Sequence, residues 1–115
     1  MICAGIDLGG TGIKAALVDE QGRILRKKTI PTGAARHWKE IMRDIVGLIT
    51  DLVQEEGLQI QDIKGVGVGV PGTVNPERGE LIYACNLPQC RHMPLREEMK
   101  NALHLPLFLD NDANV

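Results

Sequence analysis

The chain has 115 residues, 43% of them hydrophobic and 24% charged, with a formal net charge of −2. That is enough apolar material for one domain with its own core, and it lacks the basic surplus that nucleic-acid binding requires. No apolar run approaches the roughly 20 residues that cross a bilayer, and no signal-peptide pattern opens the chain, so no membrane partner and a cytoplasmic location are expected.

Ile2 to Leu8 is short, apolar and stopped by glycine, which predicts a buried strand. Cys3 falls within it and is expected in the core. With Cys85 and Cys90 it makes an odd number of cysteines at no zinc-like spacing, the pattern of reduced cytosolic thiols rather than a metal site.

Asp7-Leu8-Gly9-Gly10-Thr11-Gly12-Ile13-Lys14 joins this strand to a second one, Ile13 to Val18. Glycine reaches backbone angles that other residues avoid and admits close approach by a ligand. A glycine-rich turn can aim several N–H groups at one phosphate. Thr11 adds a hydroxyl, and the Asp7 carboxylate could organise Mg²⁺ and its waters beside that phosphate. A ligand-free hairpin is the alternative, but it needs one or two glycines, not Gly9, Gly10 and Gly12 with a flanking Asp and Thr. The spacing is not that of a Walker A loop. It is not the dinucleotide fingerprint either, because a strand follows where that motif opens a helix.

Asp19-Glu20-Gln21-Gly22 is a turn, and Arg23 to Ile30 reads as a third, more exposed strand ended by Pro31-Thr32-Gly33. Its basic residues, Arg23, Arg26, Lys27 and Lys28, read as a solvated strand edge. A helix is predicted from about Arg36 to Glu56, since Trp38, Ile41, Ile45, Leu48 and Leu52 recur every three or four residues. Gly57 suits the position just past its end. Valine and glycine then alternate from Gly65 to Val70. One face of this strand carries branched side chains and the other is bare. Tight packing of a helix would account for Gly65 and Gly67. Pro71-Gly72 breaks the strand at its C-terminal end, where ligands collect in helix-covered sheets.

A turn-rich hairpin from Thr73 to Glu80 returns as a short strand, Leu81 to Ala84, and Asn86-Leu87-Pro88 reads as a loop. Pro94 to Leu103 is a short helix. Leu105 to Leu109 is a last apolar strand running into Asp110-Asn111-Asp112-Ala113-Asn114, which on residue type alone fits a polar strand-ending turn as well as a site.

The strand-turn-strand setting of the glycine loop resembles the first phosphate loop of the superfamily of sugar kinases, actin and chaperone ATPases. Within it, DLGGTGIK, GVGVPG, Asn86-Leu87, Pro94-Leu95 and LPLFLDNDAN occur in the order seen in the ROK family (repressor, open reading frame, kinase). Together they cover the whole chain. The resemblance implies an α/β fold of the ribonuclease-H-like, actin-like type: a mixed sheet flanked by helices, duplicated in the family into two lobes around a cleft. It implies that residues 1–115 are the N-terminal lobe and that the C-terminal lobe is absent. The absent lobe would carry most of the nucleotide pocket, further sugar ligands and the family's structural zinc motif.

The function so implied is ATP-dependent transfer of a γ-phosphate to the 6-hydroxyl of a hexose, glucose first, by a full-length homodimer or higher oligomer. The fragment alone would be inactive. Asp112 matches the family's catalytic base, and Asn111 with Asp112 its sugar-binding pair. Gly72 matches a backbone contact to the sugar, and Thr73 and Asn86 match further sugar-pocket positions. Asp7, Gly9, Gly10, Thr11 and Gly12 would face the ATP phosphates and Mg²⁺. Gly12 stands where many relatives have a polar or basic residue, which removes one side-chain phosphate contact. The alternatives within the family are an N-acetylglucosamine or N-acetylmannosamine kinase and a sugar-binding transcriptional regulator. Against the regulator stand the intact base and a first strand that begins directly after Met1.

Overall fold

A computed structural model describes residues 1–111. Seven strands and two helices follow in the order β1 (Ile2–Leu8), β2 (Gly12–Asp19), β3 (Ile24–Pro31), α1 (Trp38–Glu55), β4 (Ile63–Val70), β5 (Thr73–Asn75), β6 (Glu80–Tyr83), α2 (Leu95–Leu103) and β7 (Leu107–Asn111). A single 3₁₀ turn, Ile60–Asp62, leads into β4. The main sheet has the order β3-β2-β1-β4-β7. The chain lays down β1, β2 and β3 antiparallel through short turns. It then crosses over through α1 and α2 to add β4 and β7 parallel to β1, as parallel strands need helical crossovers. Strands β5 and β6 form a separate two-stranded sheet.

Alternation sorts the side chains. Ala4, Ile6 and Leu8 of β1, Ile13, Ala15 and Leu17 of β2, and Val66, Val68 and Val70 of β4 are all buried on one face. The apolar stripe of α1 (Ile41, Met42, Ile45, Leu48, Ile49, Leu52 and Val53) packs there, joined by Leu95 and Met99 of α2. Each large side chain buried this way contributes about 1.5–3 kcal/mol. Helix α1 starts two residues later than its periodicity suggests. His37 caps it, with Nδ1 accepting the Lys39 N–H at 3.1 Å, and Arg36 stays outside. At the other end Gly57 has φ +73°, and the N–H groups of Gly57 and Leu58 bond the carbonyls of Gln54 and Val53. This paired closure satisfies the helix's last carbonyls.

The opposite face of the sheet corrects two expectations. Among the described residues no helix covers it. A methyl group on Gly67 would meet nothing within 4 Å, so helix packing does not explain that glycine, and Gly65 lies against the chain at Pro106 instead. Cys3 shares this open face and is exposed, not a core residue. Phe108 stands there 73% exposed. The buried thiol is Cys90, whose burial pushes its pKa up to about 11.

The basic run of β3 lies on a sheet edge, as expected, and is also ion-paired. Arg26 reaches Glu55 and Glu56 at 3.5 and 3.1 Å, and Lys28 reaches Glu55 at 2.6 Å, tying the edge strand to the end of α1. Such exposed pairs contribute little each.

The last strand is displaced from its expected span of Leu105 to Leu109. Its ladder begins at Leu107, after Pro106, whose carbonyl accepts the Val66 N–H at 2.9 Å. It continues through Asp110 and Asn111, which pair in register with Gly69 and Val70. Asp110 and Asn111 are therefore strand residues rather than a turn. The parallel partner holds them extended against their local turn preference.

Candidate active site

Strands β1, β4 and β7 are adjacent and parallel, so their C-terminal ends share one edge of the sheet. The glycine turn leaves the first of these ends, Pro71-Gly72 the second, and Asn111 closes the third. Three sequence-predicted site segments about 40 to 60 residues apart in the chain thus meet at the edge where such sheets bind ligands.

In the turn, the Gly9 N–H bonds the Gly12 carbonyl at 3.0 Å. A methyl group on Gly9 would sit 3.0 Å from that same oxygen. The Gly9 carbonyl accepts the Thr32 hydroxyl at 2.7 Å, and the Thr11 carbonyl accepts the Thr32 N–H at 3.0 Å. The carbonyls of Gly9, Thr11 and Gly12 are thereby engaged, while the N–H groups of Gly10 and Thr11 have no partner among the described residues. Unpaired N–H groups on a fixed glycine turn suit an anion. Asp7 is exposed on the open face, opposite Lys14 of β2 and in register with Gly69 of β4.

Gly72 has φ +108°, and a methyl group there would stand 2.3 Å from the Tyr83 carbonyl oxygen. Only glycine fits. Its own carbonyl accepts the Asn111 Nδ2 at 2.5 Å, which joins the ends of β4 and β7. Thr73 follows as the exposed first residue of β5. Asn86 lies against the glycine turn: a methyl group on Gly10 would be 2.8 Å from its Nδ2. The structure therefore brings Gly9, Gly10, Thr11, Gly72, Thr73, Asn86 and Asn111 to one edge. Asp112 lies outside the described residues. Asp110 accepts the Asn111 N–H on Oδ1 at 2.8 Å, a local bond.

The described residues contain no cluster of three His, Cys, Asp or Glu side chains able to cage a metal. Asp7 by itself fits Mg²⁺ held largely by water and phosphate oxygens, the usual manner of that ion in phosphoryl-transfer sites. A concavity of about 1060 Å³ lies over the open face, with Asp7, Lys14, Phe108 and Asp110 in its wall. None of the turn glycines lines it.

Two supporting side chains escaped the sequence reading. Thr32 is one. The other is Arg96 in the first turn of α2, whose Nε, Nη1 and Nη2 donate to the carbonyls of Leu107, Glu77 and Pro76 at 2.9, 2.5 and 2.8 Å. It pins the β5–β6 turn to the start of β7. Gly79 makes room for it, since a methyl group there would be 2.4 Å from the Arg96 Cβ. Arg96→Ala should cost about 1–3 kcal/mol, because carbonyls bonded to a charged donor lose it together. A fall in the urea midpoint at constant slope is the expected reading, and an unchanged midpoint would show that water replaces the guanidinium without loss.

A mixed sheet with a glycine turn between its first two strands and crossover helices on one face is the fold of the actin-like ATPases and their sugar-kinase branch. The sequence matches the ROK family over residues 3–115, and the chain belongs to that family. It is 34% identical over 110 residues to a glucokinase of Thermotoga maritima, covering 96% of this chain and 33% of that protein. It is 37% identical over 111 residues to an N-acetyl-D-glucosamine kinase of Citrobacter koseri, covering 96% and 34%. The fold matches that of a ROK family glucokinase from Streptomyces griseus in complex with glucose and AMPPNP. The TM-score is 0.84 at 32% identity, covering 99% of this chain and 34% of that one. The chain thus spans about a third of the length of the relatives it matches.

Proposed function

We propose that residues 1–115 form the N-terminal lobe of an ATP-dependent sugar kinase whose acceptor is a hexose 6-hydroxyl, with glucose as the leading substrate. The observation that carries this reading is the meeting of the glycine turn, Gly72 and Asn111 at the C-terminal ends of three parallel strands. A phosphate donor and a polyol acceptor can be held side by side there.

Phosphoryl transfer asks for a positioned γ-phosphate, charge neutralisation and a base for the acceptor proton. The N–H groups of Gly10 and Thr11 and the Thr11 hydroxyl hold phosphate oxygens. Gly9 and Gly12 give the turn its shape. Asp7 would help hold Mg²⁺, which would supply charge neutralisation at the phosphates. Asn111, whose Nδ2 bonds the Gly72 carbonyl, orients sugar hydroxyls through its side-chain amide, which can both donate and accept. The backbone of Gly72 and the side chains of Thr73 and Asn86 border the sugar. Asp112, the residue after β7, accepts the hydroxyl proton as attack on phosphorus begins. The second lobe, with its structural zinc, completes the nucleotide pocket. The cytoplasm supplies both substrates; among the described residues no helix is long and apolar enough to cross a membrane.

An N-acetylhexosamine kinase is the second reading, favoured by the 37% identity to the Citrobacter koseri enzyme, as high as to any glucokinase named above. A substrate panel separates the two. The full-length parent, supplied with ATP and each sugar in turn, should show its highest kcat/KM on glucose. A kcat/KM on N-acetylglucosamine or N-acetylmannosamine tenfold or more above glucose would assign it to the second class.

A further inference from the structure

The glycine turn needs something to fix it. Glycine loses more conformational freedom on ordering than any other residue, and a loop that orders only when ligand arrives binds it more weakly than a pre-organised one. In this chain the fixing group is Thr32. It is the only buried polar side chain among the described residues and is wholly inaccessible. Its hydroxyl takes the carbonyl of Gly9 and its N–H takes that of Thr11, so one residue holds both ends of the turn. The pairing of Gly12 with Pro31 sets it there.

Thr32 is itself held. Its carbonyl accepts the Arg36 Nη2 and Nε at 2.6 and 3.2 Å, and the same Nη2 reaches Asp44 Oδ2 of α1 at 2.6 Å. Gly33, with φ +62°, turns the chain to allow this, since a methyl group there would lie 2.7 Å from the Arg36 Nε. The displaced start of α1 now has a reason: Arg36 folds back on Thr32 instead of entering the helix.

We propose that Thr32, backed by Arg36 and Asp44, is a positioning residue for the nucleotide phosphates. By engaging the Gly9 and Thr11 carbonyls from within, it fixes the turn with its Gly10 and Thr11 N–H groups turned to the ligand. This inference rests on the kinase reading of the site and adds to it a residue that touches no substrate.

The test is equilibrium binding to the full-length parent, measured by calorimetry for ATP and for glucose separately. Thr32→Val keeps the shape and loses the hydroxyl. It should weaken ATP binding roughly tenfold, the equivalent of one hydrogen bond, and move glucose binding less than about twofold. Thr32→Ser restores the donor and should bind ATP within about threefold of the parent. Val53→Ala, a core change in α1 that lowers the melting temperature without touching the turn, should leave ATP binding where it was. Unchanged ATP binding by Thr32→Val, an equal loss for both ligands, or the same loss in Val53→Ala would overturn the proposal. A parent that binds no ATP at all would overturn the kinase reading itself, and this inference with it.

Discussion

Replacing Asp112 by asparagine in the full-length parent should lower the turnover number by roughly 100-fold or more while sugar affinity stays near the parental value. The amide keeps the size of the carboxylate and can still bond a hydroxyl, but it cannot accept a proton. A positioned general base is worth about 10²–10⁴ in rate. Its loss appears in kcat, because the proton moves only as the bond to phosphorus forms. The dissociation constant for glucose, measured without nucleotide, provides the contrast. Turnover near the parental rate would remove Asp112 from the role and direct the search to Asp110 or to the second lobe.

The largest structural effect is expected at Gly72. Gly72→Ala places a methyl group 2.3 Å from the Tyr83 carbonyl and 3.0 Å from Ala84, at a φ of +108° that L-residues avoid. The obstacle is backbone, which cannot rotate away. A destabilisation of about 3 kcal/mol or more is expected, a large share of the 5–15 kcal/mol that holds a typical domain folded. Gly67→Ala, five residues earlier on the open face, meets nothing within 4 Å and should stay within about 0.5 kcal/mol of the parent. Urea midpoints of the two variants decide the matter. A small loss in Gly72→Ala, or equal losses in both, would mean that the end of β4 yields more easily than its contacts imply.

Much of this lobe was legible because its signals are local. Strands β1 and β2 announced themselves as short apolar runs and by the glycines between them. The stripe of α1 marked Ile41, Ile45, Leu48 and Leu52 as buried before any packing was known, while Trp38 at its head is only partly buried. The glycine turn, Gly72 and Asn111 were each visible as types of residue in suitable settings. What was not legible depends on partners distant in sequence. Asp110 and Asn111 favour turns, and only pairing with Gly69 and Val70 makes them strand. Cys3 looked like core because its neighbours are apolar; which face of the sheet the helices cover decides otherwise. Gly65 and Gly67 suggested a helix over the bare face, and both crossover helices took the other side. Thr32 was read as punctuation at the end of β3. The signal was present in a threonine between Pro31 and Gly33, but its role needs the register that sets Pro31 beside Gly12.

The most direct test of the central claim is the fate of the γ-phosphate. The purified full-length protein, made in a host without sugar kinases, is given glucose and ATP labelled at the γ-position. The account predicts that label appears on the 6-oxygen of glucose in one-to-one yield with ADP. It also predicts that the 115-residue chain alone, though folded, transfers none. Label released as inorganic phosphate with no sugar phosphate formed, or transfer by the isolated chain at the full-length rate, would contradict it.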